Sequence, residues 1–384
     1  MNEEVIYLDH AAATPVDAKV QAAMQPFFSD DFYNPSAPYA PAVRVRREYE
    51  AAKQVIARAI GAKADDLVMT AGATESINLA FSSVTGHVIT SNIEHHAVLA
   101  AARRHEVTFV SANEKGVVSA ESIKAALRPD TQLVSIALAN NELGTIQPLR
   151  SIAEVVHHER QRRLQAGDHT PLHLHSDASQ GVGQLDVNVA RQGVDMLTLN
   201  ASKVYGPKQV GLLWTAPSVQ LVPTIVGGGQ ERGLRSGTEN VPGVIGFAKA
   251  MELASAHRKF ESERLSALRN AMQEKFTTAF PEAVVSGDLK HRLAGHLHIS
   301  FPGLDAERVL FALEMRGVLV ATGSACAANK GTRSHVLTAI GLPAEVADGS
   351  LRITLGHLSN EENIAKATDI IIEEIQKEYA RSQK

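Results

Sequence analysis

A chain of 384 residues is long enough to bury a large core and to divide into two domains. Its formal net charge of −4, with no long basic runs, gives no electrostatic case for binding nucleic acid directly. No apolar stretch approaches the roughly 20 residues of a membrane span, the start Met1-Asn2-Glu3-Glu4 is acidic rather than signal-like, and one cysteine, Cys326, excludes an internal disulfide framework, so a cytoplasmic, reducing compartment is expected.

In chain order, Tyr7-Leu8-Asp9-His10-Ala11-Ala12-Ala13-Thr14-Pro15 reads as a short strand running into small residues and a stop. Residues 16–28 have helical spacing, with Asp17 near the start. Asn34-Pro35-Ser36-Ala37-Pro38 is a turn, and 44–60 is an amphipathic helix closed by Gly61. From 67 to 214, β-rich apolar runs alternate with helical ones: strands are expected at 67–70, 87–91, 107–110, 133–138, 172–175, 194–199 and 210–214, with helices such as 119–127 and 149–165 between them. That alternation argues for an α/β fold, a mostly parallel sheet covered by helices on both faces, with ligands at the carboxyl ends of its strands.

A long helix is expected over 245–279. A second, α+β block follows: strand 296–301, helix 305–316, strand 318–321, helix 334–340, strand 351–354 and a last helix from Glu361. The expected division is a large domain of residues 16–250 and a smaller one built from 1–15 and 251–384.

Lys203 closes the buried-strand pattern 194–199, in a loop fixed by Gly206 and Pro207. A lysine desolvated in such a place loses pKa, and its free amine can form a Schiff base with an aldehyde cofactor. Upstream, Asp177 in Ser176-Asp177-Ala178-Ser179-Gln180 stands at a strand end, as the partner of a pyridoxal phosphate (PLP) ring nitrogen must. Gly72-Ala73-Thr74-Glu75-Ser76 lies between a strand and a helical run, where backbone N–H groups and the Thr74 and Ser76 hydroxyls suit a phosphate. His95, in Glu94-His95-His96, can stack on an aromatic cofactor and pass protons, or simply cap a helix. Asn140-Asn141-Glu142-Leu143-Gly144 is either a polar ligand grip or an ordinary turn. His173 and His175 share a strand face, which can begin a metal site; Ala178 stands where a further ligand belongs, so no metal is expected. Cys326 sits among small residues in Gly323-Ser324-Ala325-Cys326-Ala327-Ala328, near Lys330, in a pattern suited to an exposed nucleophile.

Taken with Ser202-Lys203-Val204-Tyr205-Gly206-Pro207-Lys208, Gly227-Gly228-Gly229-Gln230-Glu231-Arg232 and Arg235-Ser236-Gly237-Thr238, these motifs resemble the cysteine desulfurases. Those are PLP enzymes of fold type I in the class V aminotransferase family, and the resemblance runs in register from Tyr7 to Ile375. It implies that Lys203 carries PLP and later moves the Cα proton. Asp177 would pair with the ring nitrogen, Gln180 meet the ring hydroxyl and His95 stack on the ring. Ala73, Thr74 and Ser202 would bind the phosphate, joined by Thr238 from the other subunit of a homodimer. Asn141 would contact the cofactor, and Asn34 and Arg352 hold the substrate carboxylate. Cys326 would attack the sulfur of L-cysteine, become a persulfide and release alanine, for delivery to a sulfur-acceptor protein of the iron–sulfur scaffold or tRNA-thiolation type.

Two departures stand out. Ser202 replaces the histidine that most often precedes the lysine, and one hydroxyl donor remains for the phosphate, so altered cofactor affinity is expected. After Asn34-Pro35, Tyr39 and Ala42 stand where the family has histidine and glycine. The rival readings are selenocysteine lyase or cysteine sulfinate desulfinase of the same family, and a metal-dependent hydrolase built on His173 and His175.

Overall fold

The computed structural model describes residues 5–323 and 333–382. The chain opens with a two-residue strand, β1 (Ile6–Tyr7). The large sheet then takes β2 (Leu67–Thr70), β3 (His87–Ser91), β4 (Val107–Val110), β5 (Thr131–Ser135), β6 (His173–Asp177), β7 (Met196–Asn200) and β8 (Gly211–Thr215). Their order across the sheet is β2-β8-β7-β6-β5-β3-β4. β3 pairs in parallel with β4 and β5, and β6 in parallel with β5 and β7. β8 is antiparallel to both its neighbours, so β2 regains the direction of the rest. The carboxyl ends of β2 and of β3 to β7 therefore share one edge. The expected mostly parallel sheet is present, with one reversed strand inside it.

These strands are apolar on both faces because helices cover both. One buried cluster joins Ile89, Val134, Leu174, Leu197 and Leu212 to Ile56 and Phe247 of the helices Ala40–Ile60 and Val241–Ala279. The other packs Val68, Val88, Leu133, Met196 and Leu213 on Ile77 and Phe81 of the helix Ala73–Ser82. Burial of each such side chain contributes about 1.5–3 kcal/mol.

The smaller block has its own apolar cluster, built around β9 (Val284–Val285), β10 (His296–Ser300) and β12 (Ser350–Thr354) in the order β12-β10-β9. The helices Ala306–Met315 and Glu361–Ser382 cover it. Ile6 and Leu8 belong to the same cluster, and β1 pairs in parallel with β11 (Val318–Leu319). The long helix serves both parts: Val244 and Phe247 lie against the large sheet, Leu265 and Phe276 against the small one.

Several boundaries differ from the sequence reading for visible reasons. The run 16–28 is two helices, Ala18–Met24 capped by Asp17 and Pro26–Ser29, because Pro26 cannot continue the first and starts the second. The apolar run after β5 outlasts the ladder: Ile136 and Leu138 are buried beneath the site without belonging to the strand. β9 went unread, two residues being too few for a period to show.

Candidate active site

The carboxyl edge of the sheet opens on a cavity of about 320 Å³. β2, β3, β5, β6 and β7 each lead into residues on its wall. Asp177 is the last residue of β6, and its Oδ1 accepts from Ser179 N–H at 3.0 Å, which fixes the carboxylate in an Asx turn. Lys203 ends the 3₁₀ turn Ala201–Lys203 that follows β7, and its Nζ donates to the carbonyls of Ala11 (2.9 Å) and Ala12 (2.5 Å). Gln180 Nε2 donates to the same Ala11 carbonyl at 3.0 Å. The small residues 11–12 are thus a ledge that the lysine and glutamine both reach, and both alanines line the cavity.

β2 contributes a helix start. Gly72, with φ of 139°, turns the chain into the helix Ala73–Ser82, and no side chain caps that helix. The first helical N–H groups, at Ala73 and Thr74 on the cavity wall, remain available to an anion. The first residue of β8 must also be small, since a Cβ on Gly211 would lie 2.6 Å from Gly72 Cα. Ser76 does not join the wall: it is fully buried, its Oγ 2.7 Å from Thr70 Oγ1.

His95 plays two parts. It caps the helix His96–Ala102, its Nδ1 accepting from Ala97 N–H at 3.1 Å, which puts the ring proton of the neutral form on Nε2. The ring also lines the cavity. Desolvation lowers its pKa, against the opposing pull of Asp177, so the imidazole is neutral at neutral pH. Beneath it Glu94, 2% exposed, accepts from Ser91 Oγ at 2.7 Å and from Ala137 N–H. Burial pushes the Glu94 carboxyl up to about 7.

Asn141 and Arg352 close the far side. Arg352, on β12, donates through Nη2 to Asp9 Oδ1 at 2.7 Å and through Nη1 to the Asn141 carbonyl at 3.4 Å. Of the residues expected at the site, Ala73, Thr74, His95, Asn141, Asp177, Gln180, Lys203 and Arg352 share this one cavity.

Others stand apart. Ser202 faces Asn200, its Oγ donating to Asn200 Oδ1 at 3.0 Å; Asn200 itself is on the wall. Thr238 is exposed and off the wall, on the segment after Arg235, which pairs with Glu75 of the uncapped helix at 2.9 Å. Asn34 is exposed and accepts from Ser36 N–H. Cys326, with Ser324, Ala325 and Lys330, lies outside the described residues.

A metal site on the histidine strand is not supported. His175 is buried, with Nδ1 2.8 Å from Ser135 Oγ and Nε2 3.0 Å from Thr198 Oγ1, so both ring nitrogens are engaged. Among the described residues no group of three or more His, Cys, Asp or Glu side chains could hold an ion.

The family model for class V aminotransferases matches residues 6–366. The chain belongs to the class V aminotransferase family. Curated relatives include the cysteine desulfurase IscS of Dictyoglomus turgidum, 39% identical over 97% of this chain and 95% of that one. The protein of that name, numbered 1, from Archaeoglobus fulgidus is 37% identical over 95% of both chains. Among solved structures, a NifS-like protein superposes with a TM-score of 0.88 at 30% identity, covering 97% of this chain and 100% of its own. A structure described as SspA in complex with cysteine does so with 0.77 at 36%, covering 91% and 98%. The architecture of this class V member is thus PLP fold type I, and the family is PLP-dependent.

The residues present fit that cofactor. A phosphate needs free N–H groups, and the uncapped helix start has them; a pyridine nitrogen needs a fixed carboxylate, and Asp177 is one; an aldehyde needs a primary amine, and Lys203 has it. The buried Ser179 Oγ, on the same wall, has no partner among the described residues.

Asp9 is the residue that sequence reasoning missed. It was read as part of a strand running into small residues, yet it is the ion-pair partner of Arg352 across 343 positions. A pairing that distant leaves no local period to find.

Proposed function

We propose that this class V enzyme is a cysteine desulfurase that transfers the sulfur of L-cysteine to Cys326. The observation that carries the reading is the gathering of one amine, Lys203, one fixed carboxylate, Asp177, and one buried guanidinium, Arg352, around a single cavity. The curated relatives named above support the choice of substrate over the selenocysteine lyase and sulfinate desulfinase readings.

Lys203, Asp177, Thr74 and the helix start would hold PLP, which would supply the electron sink that makes the substrate Cα–H acidic. The chain's own residues do the rest. Arg352 orients the substrate by its carboxylate. Lys203 Nζ takes the proton from Cα and delivers one to the carbon. Asp177 holds the positive charge of the ring nitrogen. His95, neutral with its proton on Nε2, covers the ring and excludes water. Cys326 Sγ, as thiolate, bonds to the substrate sulfur as the carbon–sulfur bond breaks. The balance closes without an outside oxidant: L-cysteine and one thiol give L-alanine and one persulfide, the carbon being reduced as the sulfur pair is oxidised.

The active protein is a homodimer in which Thr238 of one subunit serves the phosphate of the other, while Asn34 completes the substrate side. In support, Thr238 and Asn34 are both exposed, and apolar side chains near them face outward: Phe32 is 64% exposed and Val226 81%. We take the large domain as 16–250 and the small one as 1–15 with 251–384: Ile6, Leu8, Leu265, Leu297 and Ile371 share the small cluster, while Val336, Leu337, Ile340 and Ala347 pack across into the large one. No helix of the described residues is long and apolar enough to cross a membrane. We place the protein in the cytoplasm, serving a sulfur-acceptor protein.

The test separates cofactor binding from sulfur abstraction. Cys326→Ala should bind PLP and change its absorption spectrum on addition of cysteine, yet release almost no alanine. Wild-type protein mixed briefly with cysteine should gain about 32 Da on the Cys326 peptide, the mass of one sulfur atom. Desulfuration by Cys326→Ala at the wild-type rate would sink the mechanism.

A further inference from the structure

Arg352 is 2% exposed, yet it answers to a single carboxylate oxygen. Asp9 Oδ1 takes Nη2 at 2.7 Å, the Asn141 carbonyl lies 3.4 Å from Nη1, and Nε is buried without a partner among the described residues. A guanidinium prefers two parallel bonds to both oxygens of a carboxylate. Asp9 supplies charge but fills only part of that fork. Among the described residues Asp9 is the one carboxylate in ion-pair contact with it; Glu142, buried and held by Ser334 Oγ, acts on the guanidinium from farther off. His298 stands opposite Arg352 in the β10–β12 ladder, buried and with both ring nitrogens unpartnered. The backbone fixes this arrangement, since Asp9 bridges to Thr354 two residues along the same strand.

We propose that Asp9 is an internal competitor for the guanidinium, a positioning residue that weakens the hold of Arg352 on a substrate or product carboxylate. This rests on the reading of Arg352 as the carboxylate ligand. In the empty site Asp9 keeps a buried positive charge paired, which an isolated arginine could not tolerate cheaply. When an amino acid enters, its carboxylate shares Arg352 with a fixed negative neighbour, and the repulsion between the two carboxylates is felt only by ligands carrying that charge. Asp9 therefore trades affinity for release: the product leaves an arginine that already has a partner to return to.

The experiment is calorimetric titration of the PLP-loaded protein with L-alanine, and with L-alaninamide, which lacks the carboxylate. Asp9→Asn keeps an oxygen for Nη2 and removes the charge. It should bind alanine roughly three- to tenfold more tightly than wild type, as expected for removing one like charge at close range, and bind alaninamide unchanged. Arg352→Gln should weaken alanine at least tenfold. Unchanged or weaker alanine binding by Asp9→Asn, with Arg352→Gln weakened, overturns the competitor role and leaves the carboxylate reading standing. Alanine binding untouched in Arg352→Gln overturns the carboxylate reading, and this proposal with it. A parallel gain for alaninamide would show a general change of the cavity and also counts against the proposal. Should Asp9→Asn fail to fold, Asp9→Ser carries the same expectation.

Discussion

Glu94 carries an energetic cost that depends on pH. It is fully enclosed under His95, and desolvation holds its carboxyl up to about 7 against the Ser91 and Ala137 hydrogen bonds. A raised acid pKa means that the folded state binds the proton more tightly than the unfolded chain. Below the unfolded pKa both states are protonated and Glu94 contributes no pH dependence; as pH climbs from there to about 7 the unfolded chain gives up this proton while the folded state keeps it, so stability falls, and the fall levels off once the buried carboxyl itself ionises above about 7. Glu94→Gln cannot ionise. Its stability relative to wild type should improve by up to about 3 kcal/mol between pH 4.5 and pH 7.5, read by denaturant unfolding of the apoprotein. A difference that stays flat with pH would show that Glu94 does not titrate there. At this scale the sequence pointed to residues that the fold gathers on one cavity wall, wherever they follow a strand end. Lys203, Asp177, His95 and Thr74 were legible because each follows an apolar run that stops. Ser76 was misassigned because its hydroxyl had an inward competitor in Thr70, and only three-dimensional packing reveals which of two neighbouring hydroxyls turns in.

Among the elements, the glycine-rich stretch before Thr238 is the least self-sufficient. Glu231 and Arg232 are non-glycine residues held at φ of 46° and 58°, a conformation that costs on the order of 1–3 kcal/mol each. Glu231 supplies the compensation. Its carboxylate accepts from Tyr49 Oη at 2.6 Å, from Lys53 Nζ at 3.0 Å and from Met69 N–H at 2.9 Å, tying the stretch to the helix Ala40–Ile60 and to β2. Glu231→Ala leaves Lys53 buried without its partner and should lower stability by about 3–5 kcal/mol. Limited proteolysis should then cut the 227–238 stretch faster than in wild type; resistance equal to wild type would show that the anchor is dispensable. The sequence marked this stretch by its glycines, but not its anchor, because Glu231 and Lys53 lie 178 positions apart. The alternation of strands and helices was legible throughout the large sheet, since strands covered on both faces read as uninterrupted apolar runs. Where an apolar run outlived its ladder, as after β5, the pattern reported burial rather than pairing.

For the whole molecule, the proposed sharing of sites between subunits can be tested by mixing two inactive proteins. Lys203→Ala lacks the amine, and Thr238→Glu sets a carboxylate against the phosphate. If Thr238 acts across the interface, a mixed dimer has one site with both lesions and one with neither. Statistical exchange should then restore about a quarter of wild-type activity. No recovery after demonstrated exchange would mean that each subunit is complete by itself. The sequence bears on this level only through the family resemblance; composition and periodicity say nothing about which loop would face a second copy.

The ledge at Ala11 and Ala12, reached by Lys203, and the tie from Asp9 to Arg352 join the beginning of the chain to its middle and its end. Synthesis delivers these pieces far apart in time. At about 5–20 residues per second, the roughly 150 residues separating Lys203 from Arg352 take on the order of ten to thirty seconds to emerge. Until residues 318–319 are made β1 has no β11 to pair with, and until Arg352 is made Asp9 has no guanidinium to hold. The residues of the large sheet are all made early, but the wall of its cavity is finished by the last strand of the described residues, β12. The substrate's proposed carboxylate ligand is therefore the last of the named site residues to be made, and a transcript truncated before that strand encodes a sheet with its lysine and no arginine to hold the substrate.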